Sequence, residues 1–439
     1  LVFILLSTGC RFAVPEIPVP WKPGREYADP SRTERYLRKL EETYPDYVRL
    51  RIIGYAENDE GSEPAFPLLS VTVSDNVWTE EIEPEIQIVG GIHGNEQLSC
   101  DVALLILDEL LSGIDTEESI AGRIVRNASV QIIPILNPWG HLNEERYNVN
   151  GVDLNRNFGF AWVDTFYSGD APLDQAESAD LASEAAAGAV VLSLGLHTGA
   201  ELISWGLDYA GTTETATETY DTLYFARQLY PVYEAALAAA IKYRNTVSSA
   251  GNPGFGIIEG YDWYPAYGTL ADWMYTREGA TAYTIELDFR QGYSDHDPEI
   301  ISEVYGYHRQ ALMELIETPL TGIHGRIATA GGYPADATVE IRPSGDPDHG
   351  AIPAPYDPDV GDFHAMVLPG EWDIEITASG YEGTVETVTL PENSAHGITL
   401  EITLLPVPDT SGMRGGGMHR RTETPTVSVP DSYEDRRGE

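Results

Sequence analysis

Residues 85–96 read EIQIVGGIHGNE. The first eight form a near-continuous apolar run of strand length, the pattern of a strand buried on both faces of a sheet. The run then delivers His93 and, three residues later, Glu96, ahead of the helix-periodic stretch VALLILDELL at 102–111. Three further runs share the texture: VQIIPIL (130–136), AVVLSLGL (189–196) and ATAYTIELDF (280–289). Helical stretches lie between them, including TLYFARQLYPVYEAALAAAIKY (222–243), which Pro231 is expected to kink or divide. Ahead of them, SRTERYLRKLEET (31–43) predicts a helix with Ser31 as N-cap and Glu34 three residues on. Alternation of this kind predicts an α/β fold, a three-layer α/β/α unit around a mixed, mostly parallel sheet.

The texture changes after Leu320. TGIHGRIATA, ATVEIRP, DFHAMVLPG, EWDIEITASG, GTVETVTL and GITLEITLL alternate apolar and polar residues between Gly, Pro and Asp turns. Six or seven such strands predict a small antiparallel β-sandwich over 320–405. Residues 11–24, with four prolines, read as an extended tether, and 406–439 lack apolar periodicity and are expected to be disordered. The α/β unit is expected to span 25–318.

The chain has 439 residues, 26 basic and 70 acidic, for a formal charge of −44. A field this negative disfavours binding to DNA, RNA or anionic headgroups, and nucleic acid is set aside as a partner. Only three residues are lysine (Lys22, Lys39, Lys242). So dense a carboxylate surface repels itself in dilute buffer and is screened within about 3 Å at molar salt, which suits brine; acidic drift in a secreted protein is the equal alternative. Two cysteines exclude a disulfide framework. The opening LVFILLSTGC resembles a secretory apolar region running into a lipoprotein cleavage box, with Gly9 before Cys10. Residues 1–10 are thus expected to be the end of such a signal, making the protein an exported cell-envelope lipoprotein or an extracellular protein, with a membrane tether through lipid on Cys10. Cys100, in LSCDVALLIL, is expected to be buried and inert.

Three buried strands end in reactive residues: His93 with Glu96, His197, and Glu286. Functional groups in open α/β sheets gather at the carboxyl ends of strands. Two imidazoles and one carboxylate are a common catalytic zinc set with a fourth position open. An H-x-x-E spacing alone is weak, but three strand ends supplying one ligand set is a stronger signal. Between the histidines, ILNPWGHLNEERYNVNGVDLNRNF carries Arg146, Asn155 and Arg156. Such a loop suits an anionic ligand, since Arg binds carboxylates bidentately. Composition alone slightly favours a surface turn whose arginines pair with Glu144, Glu145 and Asp153.

The segments GIHGNE, NPWG, RYNVNGVDLNRNF, LGLHTG and YTIELDF, in this order, closely resemble the zinc metallocarboxypeptidase (funnelin) family over about residues 25–317. The sandwich resembles the transthyretin-like domain of its regulatory carboxypeptidase N/E/D-type branch. The resemblance implies one zinc held by His93, Glu96 and His197, with Glu286 as general base and then acid. It implies Arg156 and Asn155 as the grip on a substrate's terminal carboxylate. Arg146, ten residues before Arg156, matches the oxyanion-polarising Arg, and Tyr264, 22 residues before Glu286, the Tyr that caps the substrate. Peptide or protein C-termini are the implied substrates. Asp208, the eleventh residue after His197, falls where the branch places a pocket carboxylate for a C-terminal Lys or Arg. Trp205-Gly206 and Ala271 depart from that branch, so broad or apolar specificity stays open. Two other functions remain compatible: a related zinc amidohydrolase (an N-acyl amino acid deacylase or cell-wall peptide hydrolase), and a non-catalytic surface binding protein.

Overall fold

The computed structural model describes residues 29–58, 65–209, 220–290, 298–345, 351–392, 394 and 397–408. The signal-like segment with Cys10, the Pro-rich tether and nearly all of the tail lie outside the described residues. The chain starts with α1 (Pro30–Thr43), then β1 (Val48–Ala56), β2 (Phe66–Val73) and β3 (Glu85–Val89). Helices α2 (Gln97–Ser112) and α3 (Ile120–Asn127) lead to β4 (Ser129–Ile133), followed by α4 (Pro138–Asn143) and α5 (Ala176–Ala187). Then come β5 (Val190–His197), β6 (Leu202–Trp205), α6 (Tyr220–Ala250), β7 (Gly256–Glu259), α7 (Gly260–Trp263), α8 (Leu270–Trp273), β8 (Thr281–Glu286) and α9 (Pro298–Ile316).

The eight strands form one sheet in the order β1-β2-β4-β3-β5-β8-β6-β7. Four of its seven pairings are parallel. All eight residues of β5 are buried, as expected of a strand covered on both faces. Pleating divides its neighbours between two cores. Ile86, Ile88, Ile132, Leu194 and Ile285 face α1, α2, α3, α6 and α9, while Val89, Ile133 and Ala282 face α5, α8 and the C-terminal strands. Fully burying each such aliphatic side chain contributes about 1.5–3 kcal/mol. From β3 the chain goes to β4 on one side, and β5 later joins on the other. Crevices open at such switch points. Register makes the strand ends level: Val89 pairs with Gly195, and His197 with Glu286.

After the eight-stranded sheet come β9 (Ile323–Thr329), β10 (Ala337–Pro343), the two-residue β11 (Ile352–Pro353) and β12 (Tyr356–Asp357), β13 (Asp362–Ala365), β14 (Gly370–Ala378), β15 (Thr384–Leu390) and β16 (Ile398–Leu404). They make two four-stranded sheets, β11-β10-β14-β15 and β12-β13-β9-β16. Val339, Ile341 and Ile374 of one face Ile327, Phe363 and Ile402 of the other.

Three local expectations are corrected. Helix α1 is capped by Asp29, whose carboxylate accepts from the Arg32 amide, and not by Ser31; Pro30, preset for a first helical turn, moves the start forward. Helix α6 runs through Pro231 undivided, and packing against α9 and β6 accompanies this continuity. The sandwich is not wholly antiparallel, since β16 pairs with β9 in parallel along its whole length. Alternation in sequence reveals a strand's faces but not its direction.

Where β13 meets the segment before β3, acids converge. The Asp362 carboxylate accepts from the Glu83 amide, and Glu85 stands near Asp357 and Asp362. Burial, then mutual repulsion, pushes Asp362 up to about 8. Burial raises Glu83 to about 8, although the Ser74 hydroxyl donates to it, and raises Glu85 to about 7, with Arg51 only partly offsetting its acidic neighbours.

Candidate active site

The loop leaving β3 is shaped by glycine. Gly91 has φ +61°, where side chains are strained, and an added Cβ there would lie 2.7 Å from Cys100 Sγ. At Gly94 a Cβ would lie 2.0 Å from the backbone of Gly140 in α4. The tight passage turns His93 and Glu96 inward at the mouth of α2. His197 arrives on the last residue of β5, and Glu286 on the last of β8.

His93, Glu96 and His197 are almost fully buried, at 3%, 2% and 3% exposure. Glu96 Oε1 lies 2.9 Å from His93 Nδ1, Glu96 Oε2 lies 2.9 Å from His197 Nδ1, and the two Nδ1 atoms are 3.2 Å apart. Two imidazole nitrogens and a carboxylate sharing so small a space are the donor set of a His₂Glu zinc site, and this set fits zinc. The other nitrogen of His93 reaches Asp153 Oδ1 at 3.1 Å, leaving Nδ1 turned to the shared centre. Burial disfavours a charged His93, yet Glu96 and Asp153 outweigh it and raise the imidazole to about 9. Burial likewise opposes charge on Glu96, but His93 and His197 hold its carboxyl well below the usual range.

Arg146 donates through Nε to Asp153 Oδ2 at 3.0 Å, and its Nη1 lies 3.5 Å from Glu96 Oε1. Its side chain remains 29% exposed toward the cleft. Asn155 and Arg156 sit on the 3-10 turn Leu154–Arg156. Asn155 Oδ1 accepts from the Leu270 amide at 2.9 Å, pinning the turn to α8. Arg156 donates to the Asn155 carbonyl at 2.7 Å and also engages Tyr264 in a side-chain hydrogen bond. Glu286 Oε2 is buried without a hydrogen-bond partner among the described residues, and burial raises its carboxyl. Such an atom is poised to take a proton.

A single cleft is lined by His93, Glu96, Arg146, Asn155, Arg156, His197, Asp208, Tyr264 and Glu286, with Gly199, Trp263, Ala266 and Thr284 completing the wall. All nine residues singled out in the sequence therefore share one space. Tyr264, at 46% exposure, stands at its mouth beside Trp263. Sequence reading missed two carboxylates here. Asp153, read as a surface partner for arginine, does pair with Arg146, but buried against His93. Asp272 is fully buried and accepts from the amides of Asp208 and Tyr209. The signal for Asp153 was its place inside the motif GVDLNRNF; Asp272 left none. Cys100 is fully buried 3.4 Å from His141 Nδ1, and burial raises its thiol far above the ordinary range, so it is inert as expected.

Residues 33–307 match the family model described as zinc carboxypeptidase. Carboxypeptidase SOL1 of Arabidopsis thaliana is 26% identical over 399 residues, covering 88% of this chain and 74% of that protein. Carboxypeptidase D of Mus musculus is 26% identical over 456 residues; the match covers 98% of this chain but 31% of the relative, so the chain spans about a third of that protein's length. Among solved structures, thrombin activatable fibrinolysis inhibitor has a TM-score of 0.55 at 19% identity, covering 66% of this chain and 74% of that one, a likeness of fold. The chain belongs to the zinc carboxypeptidase family and is a one-zinc metallocarboxypeptidase that hydrolyses the C-terminal peptide bond of peptides or proteins.

Proposed function

We propose that His93, Glu96 and His197 hold the zinc and that the other six residues divide the work of cleavage among them. Bound there, zinc supplies a Lewis acid and lowers the pKa of water. Glu286 accepts the proton of the attacking water on its unpartnered Oε2 and then delivers it to the leaving amine. Arg146, half committed to Asp153, turns its remaining N–H groups to the carbonyl oxygen as negative charge develops; losing one such donor costs about 2.7–4 kcal/mol. Arg156 receives the terminal carboxylate, its guanidinium fixed by the Asn155 carbonyl, and Tyr264 closes over it from the mouth. Because Arg156 reads a free carboxylate, only the last peptide bond reaches Glu286.

The observation that carries this reading is the convergence of all nine side chains on one cleft with Glu286 Oε2 left open. The test compares peptides with free and amidated C-termini on wild type and Arg156→Ala. Wild type cleaves the free form by at least about 100-fold, and the variant raises KM and loses that preference, as expected for removal of a bidentate ion pair. An unchanged preference contradicts the assignment.

Asp208, on the wall beside Arg156, supports a preference for C-terminal Lys or Arg. We further assign catalysis to residues 25–318 and a transthyretin-like module to 320–405. The box ending in Gly9-Cys10 supports export and lipid anchoring. No helix among the described residues is long and apolar enough to cross a membrane. A Cys10→Ala protein that stays on membranes contradicts the anchor.

A further inference from the structure

Behind Asp208 lies a second carboxylate. The Asp208 amide donates to Asp272 Oδ1 at 2.7 Å, and the Tyr209 amide to Asp272 Oδ2 at 3.0 Å. Asp272 therefore grips the loop after β6 at two successive peptide groups. Thr269 connects the pair: its Oγ1 accepts from the Asp272 amide at 3.2 Å while its hydroxyl donates to the Asp208 carboxylate. On the opposite side Gly260 makes room, since a Cβ there would lie 2.2 Å from Asp208 Oδ1.

Packing does not explain this arrangement. Asp272 is at 0% exposure, and a buried carboxylate satisfied by two amides is a costly way to hold a loop. Among the described residues, the Arg156 guanidinium acts on both carboxylates, and it is assigned above to the substrate's terminus. Burial raises both acids above their ordinary range. An ammonium or guanidinium entering the space where a substrate's last side chain goes would favour the ionised form of Asp208 and bind to it.

We propose that Asp272, Thr269 and Gly260 form a cradle that fixes the Asp208 carboxylate toward the cleft, and that selection of a C-terminal Arg or Lys depends on this cradle. They are positioning residues acting through Asp208. The inference rests on the reading of Asp208 as the specificity carboxylate. An Asp208 side chain free to rotate would spread its charge over several rotamers, and binding a guanidinium would then require ordering it.

The test measures kcat and KM on matched peptides ending in Arg and in Leu, for wild type, Asp208→Ala, Gly260→Ala and Asp272→Ala. Zinc content and melting temperature report folding. Gly260→Ala sets a Cβ against the end of the Asp208 side chain and 3.1 Å from both the Asp208 Cα and the Leu207 carbonyl oxygen, so it perturbs Asp208 from another element and serves if Asp272→Ala fails to fold. The cradle predicts that Gly260→Ala and Asp272→Ala each lower the Arg-over-Leu ratio of kcat/KM by about 10- to 100-fold, approaching Asp208→Ala, with the loss in KM and not in kcat. If Asp208→Ala abolishes the ratio while folded Gly260→Ala keeps it, the cradle is refuted and the pocket reading stands. If Asp208→Ala leaves the ratio untouched, the pocket reading falls, and the cradle with it.

Discussion

Two groups of acids in this molecule, the pair Glu96 and Asp153 in the cleft and the cluster Glu83, Glu85 and Asp362 beside β13, respond to removal from water in opposite ways. In the cleft, Glu96 and Asp153 are surrounded by His93, His197 and Arg146, and their carboxyl groups are held far below the usual range. At the seam before β13, Glu83, Glu85 and Asp362 face one another, and burial pushes them up to about 8, 7 and 8. Burial opposes ionisation in both; the partners decide which way the group moves. The cleft holds its charges in place for chemistry. The seam avoids charge by holding protons, which couples folding to pH.

The largest effect should come from Glu286, whose Oε2 has no hydrogen-bond partner among the described residues. Glu286→Gln keeps zinc but loses about 10²–10⁴ in kcat, because the proton has no acceptor. Wild-type turnover with full zinc content would place the base elsewhere and erase the distinction between paired and unpaired cleft acids. Next is Asp153→Asn, which removes the charge behind His93. Zinc affinity should fall by about 10–100-fold, read by competition with a chelator. Equal affinity in the two proteins would mean that the pairing of Asp153 with His93 is structural only.

The seam predicts a smaller effect, on stability. Its acids bind protons in the folded chain up to about pH 7–8 but release them near 4 when unfolded. Between those limits the folded state holds more protons, so stability falls as pH rises; the contribution is full below about pH 4 and lost above about 8. The melting temperature should therefore drop between pH 6 and 8 by less in a Glu83→Gln, Asp362→Asn double variant than in wild type. Parallel curves would show that the seam does not differ from the cleft in its proton binding. The smallest and most diffuse effect concerns the whole surface. With a formal charge of −44, melting temperature should rise from low to molar salt, and a flat or falling curve rejects salt adaptation.

What sequence revealed follows from distance along the chain. His93, Glu96, His197 and Glu286 each lie at or just beyond the end of an apolar run, so their gathering at one edge of the sheet was readable from local pattern. Asp153 meets His93 across 60 residues and Asp272 meets Asp208 across 64, and only the fold brings them together. The same holds for the seam, where Glu83 meets Asp362, and for the parallel pairing of β16 with β9. At α1 the error was local: two capping residues compete within three positions, and Pro30 favours Asp29.

The most direct test of the account is metal-dependent trimming of one plain peptide with a free C-terminus, followed by mass spectrometry. Wild type should release the last residue, stop completely when zinc is stripped by chelator and dialysis, and recover with one equivalent of zinc per chain. Release that continues in the zinc-free protein, or cleavage only at internal bonds, would contradict it.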